Sequence, residues 1–201
     1  PTGNFGNILA AYYAKQMGLP IGKLICASND NKVLYDFFQT GCYDRNREFI
    51  LTTSPSMDIL ISSNLERLLY LISGEDDGKD AALMKELSET GRYRIDDGMR
   101  SRLSDFRGGF ATEEETAKEI RRVYRESGYV LDPHTAVASC VYGKYRGESG
   151  DETKTLIAST ASPYKFTRSV MEAVDERYAS KGDFELVDEL ERLSSVRVPK
   201  A

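Results

Sequence analysis

Short apolar runs of strand length alternate with stretches of helical period along this chain, and that alternation limits its fold more than any other feature. Helices that cover a mostly parallel sheet leave this pattern, so the fold class is α/β. Leu24-Ile25-Cys26-Ala27-Ser28 is one such run, ending in polar residues as a buried parallel strand does. Further strands are expected at Phe49-Ile50-Leu51-Thr52, Tyr129-Val130-Leu131 and Thr155-Leu156-Ile157-Ala158.

The helical stretches lie between them. The first is expected over residues 7–17, with Ile8, Leu9, Tyr12, Tyr13 and Met17 at apolar positions and Gly18 and Pro20 as its stop. A second starts at Asp30, carries Val33, Leu34, Phe37 and Phe38 on one face and ends at Gly41. Leu65, Leu68, Leu69 and Ile72 mark a strongly periodic third. Gly74-Glu75-Asp76-Asp77-Gly78 reads as a solvated acidic loop, and residues 79–107 as one short helix and polar connection. Thr112 with Glu115 has the form of a capping box, and Asp132-Pro133 supplies a cap and an N1 proline. Residues 147–152 read as a turn-rich break, and two helices close the chain, the last with Leu186, Val187, Leu190 and Leu193.

Composition narrows the function. The 201 residues, 40% hydrophobic and 29% charged, suit a soluble globular chain. Lys+Arg 27 against Asp+Glu 32 gives a net charge of -5 with no basic stripe, which argues against nucleic acid. No apolar run approaches the roughly 20 residues of a membrane span. Cys26, Cys42 and Cys140 form no CxxC spacing, as in a reduced, cytoplasmic setting. His134 is the only histidine, so no metal site is expected and a Ser/His/Asp triad has a single possible base. No linker divides residues 1–201 into independent domains, and no repeat is present.

The strongest local signal is Gly3-Asn4-Phe5-Gly6-Asn7 directly before a predicted helix. Such a loop aims backbone N–H groups at one point, backed by the positive end of the helix, and so forms a phosphate cradle. It is neither a Walker A loop nor the dinucleotide fingerprint. A glycine turn with Asn7 as an N-cap is the plain alternative.

Pro1-Thr2-Gly3-Asn4-Phe5-Gly6-Asn7-Ile8 resembles the cofactor-phosphate segment of threonine synthases. Cys26-Ala27-Ser28-Asn29-Asp30-Asn31, Tyr43-Asp44-Arg45, Ser54-Pro55-Ser56-Met57-Asp58-Ile59, Ser63-Asn64-Leu65-Glu66-Arg67-Leu68, Asp132-Pro133-His134-Thr135-Ala136 and Ser159-Thr160-Ala161-Ser162-Pro163-Tyr164-Lys165-Phe166 resemble further segments of that family, in its order. The resemblance covers residues 1 to about 180. It implies the tryptophan synthase β-like fold (fold type II), pyridoxal 5'-phosphate as cofactor, and a lyase of threonine biosynthesis that turns O-phospho-L-homoserine and water into L-threonine and phosphate. Gly3, Asn4, Phe5, Gly6 and Asn7 match the cofactor-phosphate loop, and Thr160 the hydroxyl facing the pyridine nitrogen. Ser159 is a weaker candidate for that contact, and residues 54–58, Asn29 and Asn31 for lining the pocket. The family motif includes His134, but local hydrogen bonding at a helix start explains it as well, and no proton transfer is assigned to it.

The family's Schiff-base lysine lies upstream of the glycine loop, so Lys165 corresponds to a different, surface position. Pro1 therefore reads as the result of truncation, no catalytic residue is expected in this chain, and the chain alone should be inactive. The missing amino-terminal part of the same enzyme is its expected partner, and without it an exposed sheet edge should favour self-association. Alternatives are a relative acting on another phosphorylated amino acid, such as a phospholyase or a cysteate synthase, and a non-catalytic module binding phosphate or a partner.

Overall fold

A computed structural model describes residues 1–199. They group into two compact units, one of Thr2–Leu51 with Pro55–Phe110, the other of Pro1, Thr52–Ser54 and the chain from Ala111 onward.

In the first unit, α1 spans Gly6–Gln16, β1 Leu24–Ser28, α2 Val33–Thr40, β2 Cys42–Asp44, α3 Leu65–Ser73, α4 Asp77–Thr90, β3 Arg92–Arg94, α5 Asp97–Ser101 and β4 Phe106–Phe110. β1 and β4 pair in parallel, from Leu24 opposite Phe106 to Ser28 opposite Phe110. β2 and β3 form a separate antiparallel pair centred on Tyr43 opposite Tyr93. The fold class is thus α/β with a parallel pair flanked by helices, although of the four strands among the described residues only β1 is one that the sequence suggests.

α3 behaves as its spacing demands. Leu65, Leu68, Leu69 and Ile72 are all buried in the core that also holds Leu24, Cys26, Phe37 and Phe106, each contributing roughly 2 kcal/mol by leaving water. The Tyr43 and Tyr93 rings stack at 5.3 Å. The buried Tyr43 hydroxyl donates to the Leu60 carbonyl at 2.9 Å and accepts the Ser62 N–H at 2.8 Å. Burial still pushes this phenol up to about 12.

Several expectations need correction. Residues 79–107 are not mainly polar connection, since they hold most of α4, all of β3 and α5, and the start of β4. The acidic break is exposed and ends α3 as expected, but it is only residues 74–76 long: Asp76 caps α4 by accepting the Lys79 N–H at 2.9 Å, and Asp77 and Asp80 stand in its first turn, where carboxylates complement the helix dipole. α2 begins at Val33 instead of Asp30, and Met17 lies beyond α1 and is exposed. Phe49-Ile50-Leu51-Thr52 forms no strand, and Leu51 is 84% exposed.

In the second unit, α6 spans Glu113–Ser127, α7 Pro133–Ser149, α8 Thr167–Val174 and α9 Asp183–Ser194. Ile120, Val170, Met171, Leu186 and Leu190 pack into its core. The Thr112/Glu115 capping box is present in both directions. α7 runs through residues 147–149, expected as a break, and ends at Gly150 with φ 65, a left-handed conformation that suits glycine. Neither Tyr129-Val130-Leu131 nor Thr155-Leu156-Ile157-Ala158 is a strand. Val130 and Leu131 are core residues, whereas Leu156 is 95% exposed.

Among the described residues, no helix is long and apolar enough to cross a membrane, and no group of His, Cys, Asp and Glu has the makings of a metal site.

Candidate functional site

The glycine loop belongs to the first unit. Thr2 donates its N–H to the Ala27 carbonyl at 2.9 Å, which fastens the loop's start to β1. Beside it, burial pushes the Cys26 thiol up to about 12, a hydrogen bond with the Thr2 side chain offsetting only part of that. A Cβ at Gly3 would sit 2.4 Å from the Ser56 carbonyl oxygen, so no other residue fits. The Gly3 carbonyl accepts the Ser62 hydroxyl at 2.9 Å, and Asn4 Oδ1 accepts both the N–H and the hydroxyl of Ser63, at 2.7 and 2.8 Å.

Phe5, not a glycine, makes the turn. It is the N-cap of α1 at φ 62, a conformation that costs a bulky residue on the order of 1–3 kcal/mol. Burial holds it there: its ring is 1% exposed and lies 6.0 Å from those of Phe38 and Phe106. Gly6 opens α1 with room for a side chain, the nearest atom to its Cβ position being Asn64 Nδ2 at 3.7 Å. Leu9 makes the first intrahelical bond, to the Phe5 carbonyl, so the N–H groups of Gly6, Asn7 and Ile8 precede it. No side chain caps this end and no acidic residue stands in the first turn. The donor set is the kind that receives a phosphate.

Asn29, Asn31 and Asp58 are fastened together in the same unit. Asp58 Oδ1 accepts from Asn29 Nδ2 at 2.7 Å and from Asn31 Nδ2 at 2.9 Å. Asn31 also clasps Ile50, donating to its carbonyl at 2.7 Å and accepting its N–H at 3.0 Å. These side chains brace loops beyond the end of β1. Met57 is buried, and Ser56 supplies the carbonyl against Gly3.

Thr160 belongs to the second unit. It is exposed, in an irregular stretch and not at a strand end. The next helical turn, Pro163–Phe166, is capped by Ser162, whose hydroxyl accepts the Tyr164 N–H at 3.3 Å, and not by Thr160. Lys165 is exposed in that turn, as a surface lysine should be.

Sequence reasoning missed what lies behind Thr160. Asp132, His134 and Thr135 are all buried. Asp132 Oδ1 caps α7 by accepting the N–H groups of His134 and Thr135, at 2.9 and 3.3 Å, and lies 3.1 Å from His134 Nδ1. The His134 ring packs on Phe166 at 4.8 Å. Asp132 Oδ2 accepts the Thr135 hydroxyl, which is hydrogen-bonded at 3.0 Å to the hydroxyl of Ser159. Burial opposes ionisation of Asp132, but the bonds from His134 and Thr135 prevail and hold its carboxyl below the usual range. The signal was the Asp-Pro-His-Thr run, legible as a cap but not as a polar network.

Residues 135–198 match the family profile described as "Threonine synthase, C-terminal". Threonine synthase-like 1 of Pongo abelii is 47% identical over 176 residues, covering 87% of this chain and 23% of that protein. A crystal structure of threonine synthase from yeast matches with a TM-score of 0.84 at 37% identity, over 98% of this chain and 42% of that one. The PLP-bound threonine synthase from Brucella melitensis matches with a TM-score of 0.80 at 36% identity, over 98% of this chain and 46% of that one. The chain thus spans less than half the length of each of these relatives.

Together these define an α/β chain of the fold type II class. Within that class, the chain belongs to the threonine synthase family and corresponds to a C-terminal portion of it.

Proposed function

We propose that this chain supplies the cofactor-phosphate loop and the ring-nitrogen contact of a pyridoxal-phosphate enzyme that converts O-phospho-L-homoserine and water to L-threonine and phosphate. The uncapped start of α1 behind a braced loop carries this function. The N–H groups of Gly6, Asn7 and Ile8 bind the phosphate without a charged side chain. Bound there, pyridoxal phosphate supplies the electron sink for the substrate carbanion. The neutral hydroxyl of Thr160 faces the pyridine nitrogen and does not favour its protonation, which suits elimination and addition over transamination. Lys165 is no candidate for the covalent attachment, so the 201 residues alone give no turnover.

The purified chain should bind pyridoxal phosphate saturably, bind unphosphorylated pyridoxal far more weakly, and release no phosphate from O-phosphohomoserine. Equal binding of the two vitamers would overturn the phosphate loop, and phosphate release would overturn the inactivity.

The 47% identity to a protein named threonine synthase-like 1 favours a second reading, a phospholyase or cysteate synthase-like relative acting on another phosphorylated amino acid. A panel of phosphorylated amino acids, offered to the holoenzyme that contains this segment, separates the two. We also place the protein in the cytoplasm, where a reducing medium suits its three free thiols, and propose the remaining part of the enzyme as its partner. Exposed Leu51 and Leu156 then favour self-association of the isolated chain, which light scattering over a concentration series detects.

A further inference from the structure

Residues 150–162 have no helix or strand of their own and are largely exposed, yet this stretch carries Thr160. Ser159, its neighbour, is tied to the buried start of α7 through the Thr135 hydroxyl at 3.0 Å. A threonine hydroxyl has one proton and an ionised carboxylate only accepts. The Thr135 hydroxyl donates to Ser159 Oγ at 3.0 Å and also reaches Asp132 Oδ2, so its one proton is shared between the carboxylate and Ser159. Asp132 is itself immobilised by the N–H groups of His134 and Thr135 and by the His134 ring, and that ring rests on Phe166, which follows the same stretch. The two ends of the Ser159–Phe166 run are therefore referred to one buried carboxylate.

We propose that Asp132 and Thr135 are positioning residues for the ring-nitrogen contact: through Ser159 they fix the backbone from which the Thr160 hydroxyl is presented to the cofactor. This rests on the assignment of Thr160 under the proposed function. Neither residue touches the cofactor. A bound carboxylate orients a hydroxyl, and the hydroxyl orients a strand of backbone that packing leaves loose.

The test uses Thr135→Val, which keeps the shape and removes the hydroxyl, and Thr135→Ser, which restores it. In the chain without cofactor, backbone NMR order parameters at residues 158–161 should fall in Thr135→Val and return in Thr135→Ser, while those within α9 stay unchanged. In the holoenzyme that contains this segment, the absorption band of bound pyridoxal phosphate should move in Thr135→Val in the same direction as in Thr160→Val, and less far. Unchanged order parameters at 158–161 overturn the positioning role whatever Thr160 does. Lowered order parameters with no band movement in Thr135→Val, although Thr160→Val moves it, also overturn it. A band indifferent to Thr160→Val overturns the assignment of Thr160 instead.

Discussion

Two stretches of this chain are proposed to meet one cofactor, and they are built on opposite plans. Residues 2–7 are over-determined: a backbone bond to β1, a glycine pressed on the Ser56 carbonyl, two serines gripping Gly3 and Asn4, and a buried phenyl ring at the turn. Residues 150–162 have little packing, and a hydroxyl pair ties them to α7. An anion held by backbone donors needs those donors fixed in place before it arrives, whereas one neutral hydroxyl contact tolerates a looser support. Hydrogen bonds and apolar burial together serve the first, and polar bonding the second.

Substitutions that separate packing from polar anchoring sharpen this contrast. The largest effect belongs to Phe5→Ala, which empties the core beneath the loop and should cost about 4 kcal/mol in urea denaturation, with loss of pyridoxal phosphate binding. Gly3→Ala must push the loop off Ser56 and should cost about 2–3 kcal/mol. Retention of wild-type stability and binding in that variant would break the claim that close approach defines the loop.

Asp132→Asn should cost about 2 kcal/mol near neutral pH, as charge-assisted bonds weaken. The Asp132 carboxyl is held below its usual range in the folded chain, so its contribution is fully present above the unfolded value of about 3.9 and is lost as pH falls through the lower folded value. Denaturation of the wild type and Asp132→Asn between pH 7 and pH 2.5 should show the two stabilities converging at the acid end. A gap independent of pH would show that the charge is not what anchors the network. The smallest effect is that of Thr160→Val. The residue is exposed, and thermal unfolding should place the change within about 0.5 kcal/mol, although the bound cofactor's spectrum moves.

Local chemistry, polar at the caps and apolar along the periodic runs, made much of this legible from the chain alone. Thr112 with Glu115, Asp132-Pro133, the four apolar positions of α3 and the run 24–28 each act within a few residues, and each appears where its chemistry puts it. β4 was hidden because Phe106-Arg107-Gly108-Gly109-Phe110 lacks β-branched residues. Its glycine answers a neighbour distant in sequence, since a Cβ at Gly108 would sit 3.1 Å from Phe38 Cβ and 3.3 Å from Tyr35 Cα of α2. The opposite error arose at residues 49–52 and 155–158, where apolar β-branched runs have strand composition but pair with no strand among the described residues. In the site, the glycine loop was legible as a phosphate cradle, but the left-handed turn at Phe5 was not, because only the pocket of Phe38 and Phe106 makes it tolerable. The link from Asp132 to Ser159 spans two segments that no local pattern joins.

The second unit takes Thr52–Ser54 from a part of the chain that precedes much of the first, and there Thr53 donates its N–H to Glu113 Oε2 at 2.9 Å, in the first turn of α6. The chain is consequently not modular in the way a gene fusion requires. A polypeptide begun at Ala111 would keep every helix of that unit and still leave behind a donor that Glu113 uses. Transplanting the unit into another scaffold therefore calls for carrying a short upstream peptide along with it, in the manner of a split protein and not of a detachable cassette.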